Sequence, residues 1–98
     1  MAAALVYAVR ASLRSVYGRD LSQAEIDQMG WNFNSLLASN QQFIAMPAQQ
    51  KQALYESLVI TGGTIVFLQT QGVQQNNVVM QAQSKELAQM VLKQWLGV

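Results

Sequence analysis

The sequence predicts an all-α protein, a four-helix bundle-like domain around one central apolar helix. Apolar residues recur at helical spacing in four segments. Glycine, serine, asparagine or proline separates these segments, as is typical of helix boundaries. Within the third segment, Leu58–Leu68 carries no charge, so we expect this helix to have the most neighbours. Short connections between successive helices favour antiparallel packing.

Length and composition limit the possible classes of protein. The chain has 98 residues, which suits a single helical domain over residues 1–98. Its residues are 51% apolar and only 11% charged, so we expect a folded chain with apolar surface left for a partner. The net charge of +1 does not indicate the positively charged surface patch that is typical of nucleic-acid-binding proteins.

The first predicted helix covers Ala2–Tyr17 and ends at Gly18. One apolar stripe is formed by Leu5, Val9, Leu13 and Val16. Arg10 and Arg14 lie four residues apart on another side. We interpret this pair as a solvated face, with an anion or lipid contact as the alternative.

The second predicted helix begins after Ser22 and ends near Asn40. Ser22 and Glu25 have the spacing of a capping box, in which each side chain bonds the backbone N–H of the other residue. The inward face is formed by Ile26, Gly30, Phe33 and Leu37. Trp31 lies off this face, which makes it a candidate contact for a partner.

Residues 40–46 are expected to form a short connector rather than a helix. Its apolar centre, Phe43-Ile44, is interpreted as a cover over the end of the bundle. The alternative interpretation makes Phe43 a knob for a binding partner.

The central helix is predicted over Pro47–Gln71. Pro47 suits a first helical position, and Gly72 suits a C-terminal cap in the left-handed conformation. The β-branched runs on both sides of Gly62 and Gly63 also fit a two-residue hairpin. We favour the helix because no third strand is present for such a hairpin to join. In a helix, the two glycines predict close packing of a neighbouring helix.

The last predicted helix covers Val78–Leu96 and ends at Gly97. Asn76, in the polar segment before it, is expected to cap its first turn. Its inward stripe is formed by Met80, Leu87, Val91 and Trp95, with Ala88 and Leu92 adjacent.

The residues that carry chemistry are too few for an active site. Cysteine and histidine are absent, which removes the commonest metal ligand and the commonest general base. Asp20 and Asp27 share a turn but lack the spacing of a calcium loop. Thr61–Thr64 lacks the lysine of a phosphate loop. We therefore expect no enzyme and no catalytic, cofactor or metal site.

Three polar residues at the start of the central helix are candidate contacts for a partner: Gln52, Tyr55 and Glu56. The first interpretation is that they bond neighbouring helix ends. The second is that they form the polar rim of a binding groove.

The leading functional hypothesis is a non-catalytic module that binds a protein partner or a second copy of itself, forming a homo-oligomer. The alternative is a carrier that holds a small apolar ligand or lipid between helices, where the glycine pair and five methionines would line an adaptable cavity.

The uncharged apolar stretch of the central helix is about a dozen residues, shorter than the ~20 that span a bilayer, so we do not expect a membrane protein. A membrane-surface helix using Arg10 and Arg14 is a third, weaker hypothesis.

One family resemblance rests on a short pattern in the middle of the chain. Lys51-Gln52-x-Leu54-Tyr55-Glu56-x-Leu58 is followed by Gly62 and preceded by Leu36-Leu37-Ala38-x-Asn40 and Phe43. Over Gly18–Gly72 the chain resembles a family of small helical domains of unknown function in exported bacterial proteins. The resemblance implies an all-helical fold and a periplasmic or secreted location, and it transfers no catalytic residue.

Overall fold

The computed structural model describes residues 1–98 as five helices without a strand, which confirms the all-α prediction. In chain order the helices are α1 (Ala2–Tyr17), α2 (Gln23–Ser39), α3 (Gln41–Ala45), α4 (Ala48–Gln74) and α5 (Val78–Leu96). Helices α1, α4 and α5 pack against one another in a bundle-like arrangement. Helix α2 packs on a further side of α1, and the short α3 lies beside α2.

Helix α1, and not the predicted central helix, is the most buried element of the fold. Nine of its 16 residues are buried, against four of the 27 residues in α4. The expectation that Pro47–Gln71 would have the most neighbours is therefore wrong. The buried residues of α1 are Ala2, Ala4, Leu5, Val6, Ala8, Val9, Ala11, Ser12 and Ser15. Most of these side chains are small, so three other helices can approach the α1 backbone at once.

Helix α4 continues without interruption through Gly62 and Gly63, which excludes the hairpin alternative. Pro47 is the N-cap of this helix and not its first residue, so the helix begins at Ala48, one residue later than predicted. Leu58 and Ile65 are the buried large apolar side chains of this helix. The prediction of one long helix is confirmed.

The end of α4 differs from the prediction, because the left-handed residue is Asn76 (φ 51°) and not Gly72. The Asn77 N–H donates to the Gly72 carbonyl at 2.8 Å, and the Asn76 N–H donates to the Val73 carbonyl at 3.2 Å. These two bonds form a Schellman motif, in which asparagine can replace the usual glycine. Asn77, rather than Asn76, caps α5, since its Oδ1 accepts from the Val79 and Met80 N–H groups.

The capping box at the start of α2 is confirmed. The Glu25 N–H donates to Ser22 Oγ at 3.2 Å, and the Ser22 N–H donates to Glu25 Oε1 at 3.1 Å. Arg19 pairs with the other carboxylate oxygen of Glu25. The Ser22 backbone N–H, with help from the Ser22 hydroxyl and Arg19, lowers the pKa of Glu25.

Residues 40–46 contain the helix α3, where the sequence predicted an irregular connector. Asn40 starts this helix, because its side-chain Oδ1 accepts from the Phe43 N–H at 2.9 Å. The same residue ends α2, so one asparagine separates two helices. Phe43 is half-buried against the core as expected, whereas Ile44 is exposed.

The inward face of α5 is rotated relative to the predicted stripe. The buried residues are Ser84, Ala88, Val91 and Leu92, while Met80, Leu87 and Trp95 are only partly buried. The rotation brings Ser84 to the centre of the bundle, where its hydroxyl donates to the Ile65 carbonyl of α4. A buried serine was not part of the apolar pattern, so periodicity alone placed the face incorrectly.

Candidate functional site

The side of α4 that points away from the core is apolar along most of its length. We call this surface the outer face of α4, and it consists of Val59, Ile60, Gly63, Val66, Phe67, Thr70 and Val73. The exposed fractions of Ile60, Phe67 and Val73 are 67%, 58% and 59%. This is a contiguous patch on one helix, unlike the single exposed apolar residues that are common on protein surfaces.

Helical geometry places Gly63 in the middle of this face. Each residue of an α-helix turns by about 100°, so residues three, four and seven positions away from Gly63 lie within about 60° of it. Leu58 and Ile65 project from the opposite side and are buried at 5% and 0% exposure. Helix α4 is therefore apolar on two opposite sides, and only one of them is covered.

No residue of the outer face is charged, and the hydroxyl of Thr64, at the border of this face, is hydrogen-bonded. The chain has no charged residue from Ser57 to Ser84. Thr64 Oγ1 donates to the Ile60 carbonyl at 2.8 Å, so this side chain is satisfied by its own helix. The face can lose its water without leaving a charge uncompensated.

The two central glycines have different surroundings. A Cβ on Gly62 would lie 2.7 Å from Tyr7 Cε2 and 3.3 Å from Ala8 Cα, so Gly62 lets α1 approach α4 closely. A Cβ on Gly63 would meet only Tyr7 Oη, at 3.7 Å, which is ordinary van der Waals contact. The close-packing prediction therefore has a structural reason at Gly62, whereas packing within one chain gives no reason for a glycine at position 63.

The predicted polar cluster lies at the N-terminal end of the outer face. Gln52 Nε2 donates to Glu56 Oε1 at 3.1 Å, one turn apart on α4. Tyr55 is adjacent and 44% exposed. Gln52 and Glu56 therefore bond within their own helix rather than to a neighbouring helix end, and Glu56 lies at the edge of the apolar surface.

Phe43 and Trp31 have surroundings of their own. Phe43 packs under Lys51, whose Nζ is 4.9 Å from the centre of the ring, a cation–π distance. Trp31 on α2 is 71% exposed and borders an open groove of about 400 Å³, which is also lined by Gly30 of α2 and Val6 of α1. The structure therefore does not combine the five predicted contact residues into one site.

A second groove, about 180 Å³, runs between α1 and the loop after it, and it contains three arginines. Arg14 pairs with Asp20 at 3.8 Å, and both side chains are more than 70% exposed. Arg19 pairs with Glu25, and Arg10 is exposed. This arrangement agrees with the interpretation of Arg10 and Arg14 as a solvated face.

One buried side-chain oxygen has no partner within the chain. It is Gln69 Oε1, beside a groove of about 330 Å³ between α1 and α4. Val66 and Val73 of the outer face form part of the same groove.

The exposure of Ile60, Phe67 and Val73 was not predicted, because apolar spacing alone does not tell a covered side of a helix from an open one. The available signal was the extent of the apolar surface around the helix. A helix that is apolar on most sides needs neighbours on most sides.

The charged residues and the helices show two further features. No three acidic side chains lie close enough together to hold a metal ion. None of the helices combines the length and the hydropathy needed to cross a bilayer.

Comparison with known proteins identifies a family but no function. A family model described as a family of unknown function (DUF6683) matches residues 1–98, so the chain belongs to that family. The match covers more of the chain than the resemblance over Gly18–Gly72. No curated protein and no solved structure matches the chain.

Proposed function

We propose that this member of the DUF6683 family is a non-catalytic helical module that binds protein, either a different protein or a second copy of itself, through the outer face of α4. The observation that supports the proposal is the contiguous, uncharged apolar surface on the longest helix. The charged residues are few and mostly exposed, so the interaction would depend on apolar burial rather than on ion pairs.

The size of the outer face is sufficient for binding. Its five large side chains expose on the order of 500 Å² of apolar surface, comparable with the largest patch on a typical monomer. At roughly 25 cal/mol per Å², covering this area contributes about 12 kcal/mol. Association costs about 4–15 kcal/mol in lost freedom, so the surplus allows a weak to moderate complex.

The ends of the face have the polar character that surrounds interface cores. Gln52 and Glu56 lie at its N-terminal end, and Gln74 lies beyond Val73 at its C-terminal end. An apolar centre with a polar, partly hydrated rim is the common arrangement at protein–protein contacts. The predicted Gln52–Tyr55–Glu56 cluster fits the rim and not the centre.

Photo-cross-linking in the producing cell tests this proposal. A photoreactive phenylalanine analogue is placed at Ile60, in the outer face, or at Gln83, an exposed position on α5. We expect covalent protein adducts from position 60 and far fewer from position 83. Equal labelling at the two positions, or none at position 60, would contradict the proposal.

The apolar-ligand alternative has less support, because the ring of Tyr7 occupies the space over Gly62. The glycine pair therefore does not border an open cavity. The carrier function stays a prediction, which native mass spectrometry of freshly purified protein would test.

A bacterial, exported setting is also part of the proposal and depends only on the family resemblance. It predicts that the full-length gene product is recovered outside the cytoplasm. Recovery of the intact product only in the cytoplasmic fraction would refute it.

A further inference from the structure

We propose that the partner of the outer face is a second copy of this chain, with the two α4 helices crossing antiparallel at Gly63. The inference rests on the proposed function, that the outer face is a binding surface. It adds the identity of the partner, the orientation of the two helices and the point at which they cross.

The first observation is Gly63 itself. A glycine inside a helix costs roughly 1 kcal/mol relative to alanine. Gly62 and Gly72 are each required by a close neighbour in the same chain, but Gly63 has room for a side chain. Because Gly63 lies at the middle of the exposed apolar surface, a close approach by a second helix explains it, since glycine lets another backbone come near.

The second observation is the symmetry of the face about this glycine. Val59 and Phe67 lie four residues before and after Gly63, and Ile60 and Val66 lie three residues before and after it. A two-fold axis through Gly63 places Val59 against Phe67 of the partner subunit. It also places Ile60 against Val66 of the partner subunit, so every large apolar residue near the crossing meets another. Such self-complementarity is the requirement for an isologous dimer.

The third observation is the absence of charge. The part of the face that α4 contributes is neutral, so it has no ion pairs of its own with which to select a different protein, and it meets its own copy without like-charge repulsion. Arg10 and Arg14 of α1 lie only along the Val66 edge of the face. The nearest charged residue on α4, Glu56, lies seven residues before Gly63, and the antiparallel arrangement places it beside Thr70 of the partner subunit. A parallel arrangement would instead place the two Glu56 carboxylates together.

The area agrees with a dimer of modest affinity. Two outer faces cover on the order of 1,000 Å² in total, the lower limit for a specific interface. Side chains at its edges, such as Tyr55 and Thr64, add to this area. We therefore expect dimers in the micromolar range rather than an obligate assembly.

Sedimentation of the purified chain over a range of concentrations measures the assembly. We expect particles of twice the 10.8 kDa chain mass at high concentration. Ile60→Gln with Phe67→Gln should raise the dissociation constant at least ~10-fold, since an apolar contact is lost on both sides of the axis. Met90→Gln on α5, which changes an equally exposed apolar residue, should leave it unchanged. Circular dichroism confirms that each variant is folded.

Disulfide trapping tests the orientation, because the chain has no cysteine of its own. Glu56→Cys and Thr70→Cys variants are mixed and oxidised. An antiparallel crossing at Gly63 predicts a 56–70 cross-link in the mixture and little cross-linking of either variant alone. A dominant 56–56 or 70–70 product would overturn the proposed orientation.

The outcomes separate this inference from the proposed function. A chain that stays monomeric up to about 1 mM, while position 60 labels a different protein in cells, overturns the homodimer and leaves the binding surface in place. A dimer that Ile60→Gln with Phe67→Gln does not weaken overturns the homodimer through this face. Failure of both the labelling and the dimer would remove the proposed function as well.

Discussion

The hydroxyl oxygens of Ser15 in α1 and Ser84 in α5 lie 2.6 Å apart, where α1, α4 and α5 meet. Ser84 Oγ also lies 3.0 Å from the Ile65 carbonyl oxygen of α4 and donates to it, so Ser15 is the donor to Ser84. Both serines are buried, at 3% and 0% exposure. One short chain of hydrogen bonds therefore connects α1, α5 and α4 inside an otherwise apolar core.

We expect Ser84→Ala to lower the free energy of unfolding by about 1–2 kcal/mol, because it leaves the buried Ser15 hydroxyl without this partner. Ser15→Ala should lower the free energy of unfolding by less, since Ser84 keeps its hydrogen bond to the Ile65 carbonyl. The loss in the double variant should be smaller than the sum of the two single losses, because the double variant leaves no unpaired hydroxyl. Urea denaturation of the four proteins measures the coupling, and strictly additive losses would contradict the shared network.

The neighbouring glycines Gly62 and Gly63 should respond in opposite ways to alanine. Gly62→Ala forces the new Cβ against Tyr7 and the Ala8 backbone, and overpacking of this kind costs about 1–3 kcal/mol. Gly63→Ala meets no obstacle and should raise stability by up to ~1 kcal/mol through helix propensity. Thermal unfolding is measured at low protein concentration, where self-association contributes little. Equal effects at both positions would show that the local packing is not as described.

Gly72→Ala should destabilise the turn between α4 and α5 by about 2 kcal/mol or more. The added Cβ would lie 3.0 Å from the Gln81 nitrogen and 3.3 Å from the Asn77 oxygen, and both atoms belong to the backbone. Asn76→Gly is the matched control, since glycine suits its left-handed conformation and should leave stability unchanged or slightly higher. Urea unfolding compares the two, and a neutral Gly72→Ala would refute the close contact.

The capping box predicts a loss of about 1 kcal/mol for Ser22→Ala, because the Glu25 N–H loses its acceptor. Ser39→Ala is a suitable control. Its hydroxyl is exposed and bonds only carbonyls of its own helix, so this change should fall within about 0.5 kcal/mol of wild type. Equal losses for the two variants would count against the cap.

The same cap predicts a pH dependence with a defined sign. The pKa of Glu25 is lowered in the folded state, chiefly by the Ser22 N–H, so its contribution to stability is present above the pKa of the unfolded chain. That contribution is lost as the pH falls through the lower pKa of the folded state. The stability advantage of wild type over Glu25→Gln should therefore be found at neutral pH and disappear in acid. An advantage that grows on acidification would have the wrong sign.

Local sequence signals predicted the helix boundaries that depend on local chemistry. The ends of α1 and the capping box of α2 follow from Gly18, Ser22 and Glu25, whose roles involve only nearby backbone. Gly72 was misinterpreted for a physical reason: glycine serves both left-handed caps and close approaches, and the sequence does not say which. The approach of Gln81, nine residues later, decides the role of Gly72.

The arrangement of the helices depended on information that hydropathy does not carry. The apolar content of α4 suggested the central position, whereas the alanines and serines of α1 take that position because small side chains admit more neighbours. The candidate site was missed for the same reason. Val59 and Phe67 have the composition of a core, and only the placement of α1 and α5 shows that both stay exposed to solvent.

The central, most buried position of α1 in the fold has a consequence for biosynthesis. Within this domain α1 is synthesised before α4 and α5, which provide most of its packing partners. Nascent α1 therefore keeps much of its apolar surface open until both helices have left the exit tunnel, so the domain folds as one unit rather than stepwise, and chaperones have their longest opportunity to bind at α1.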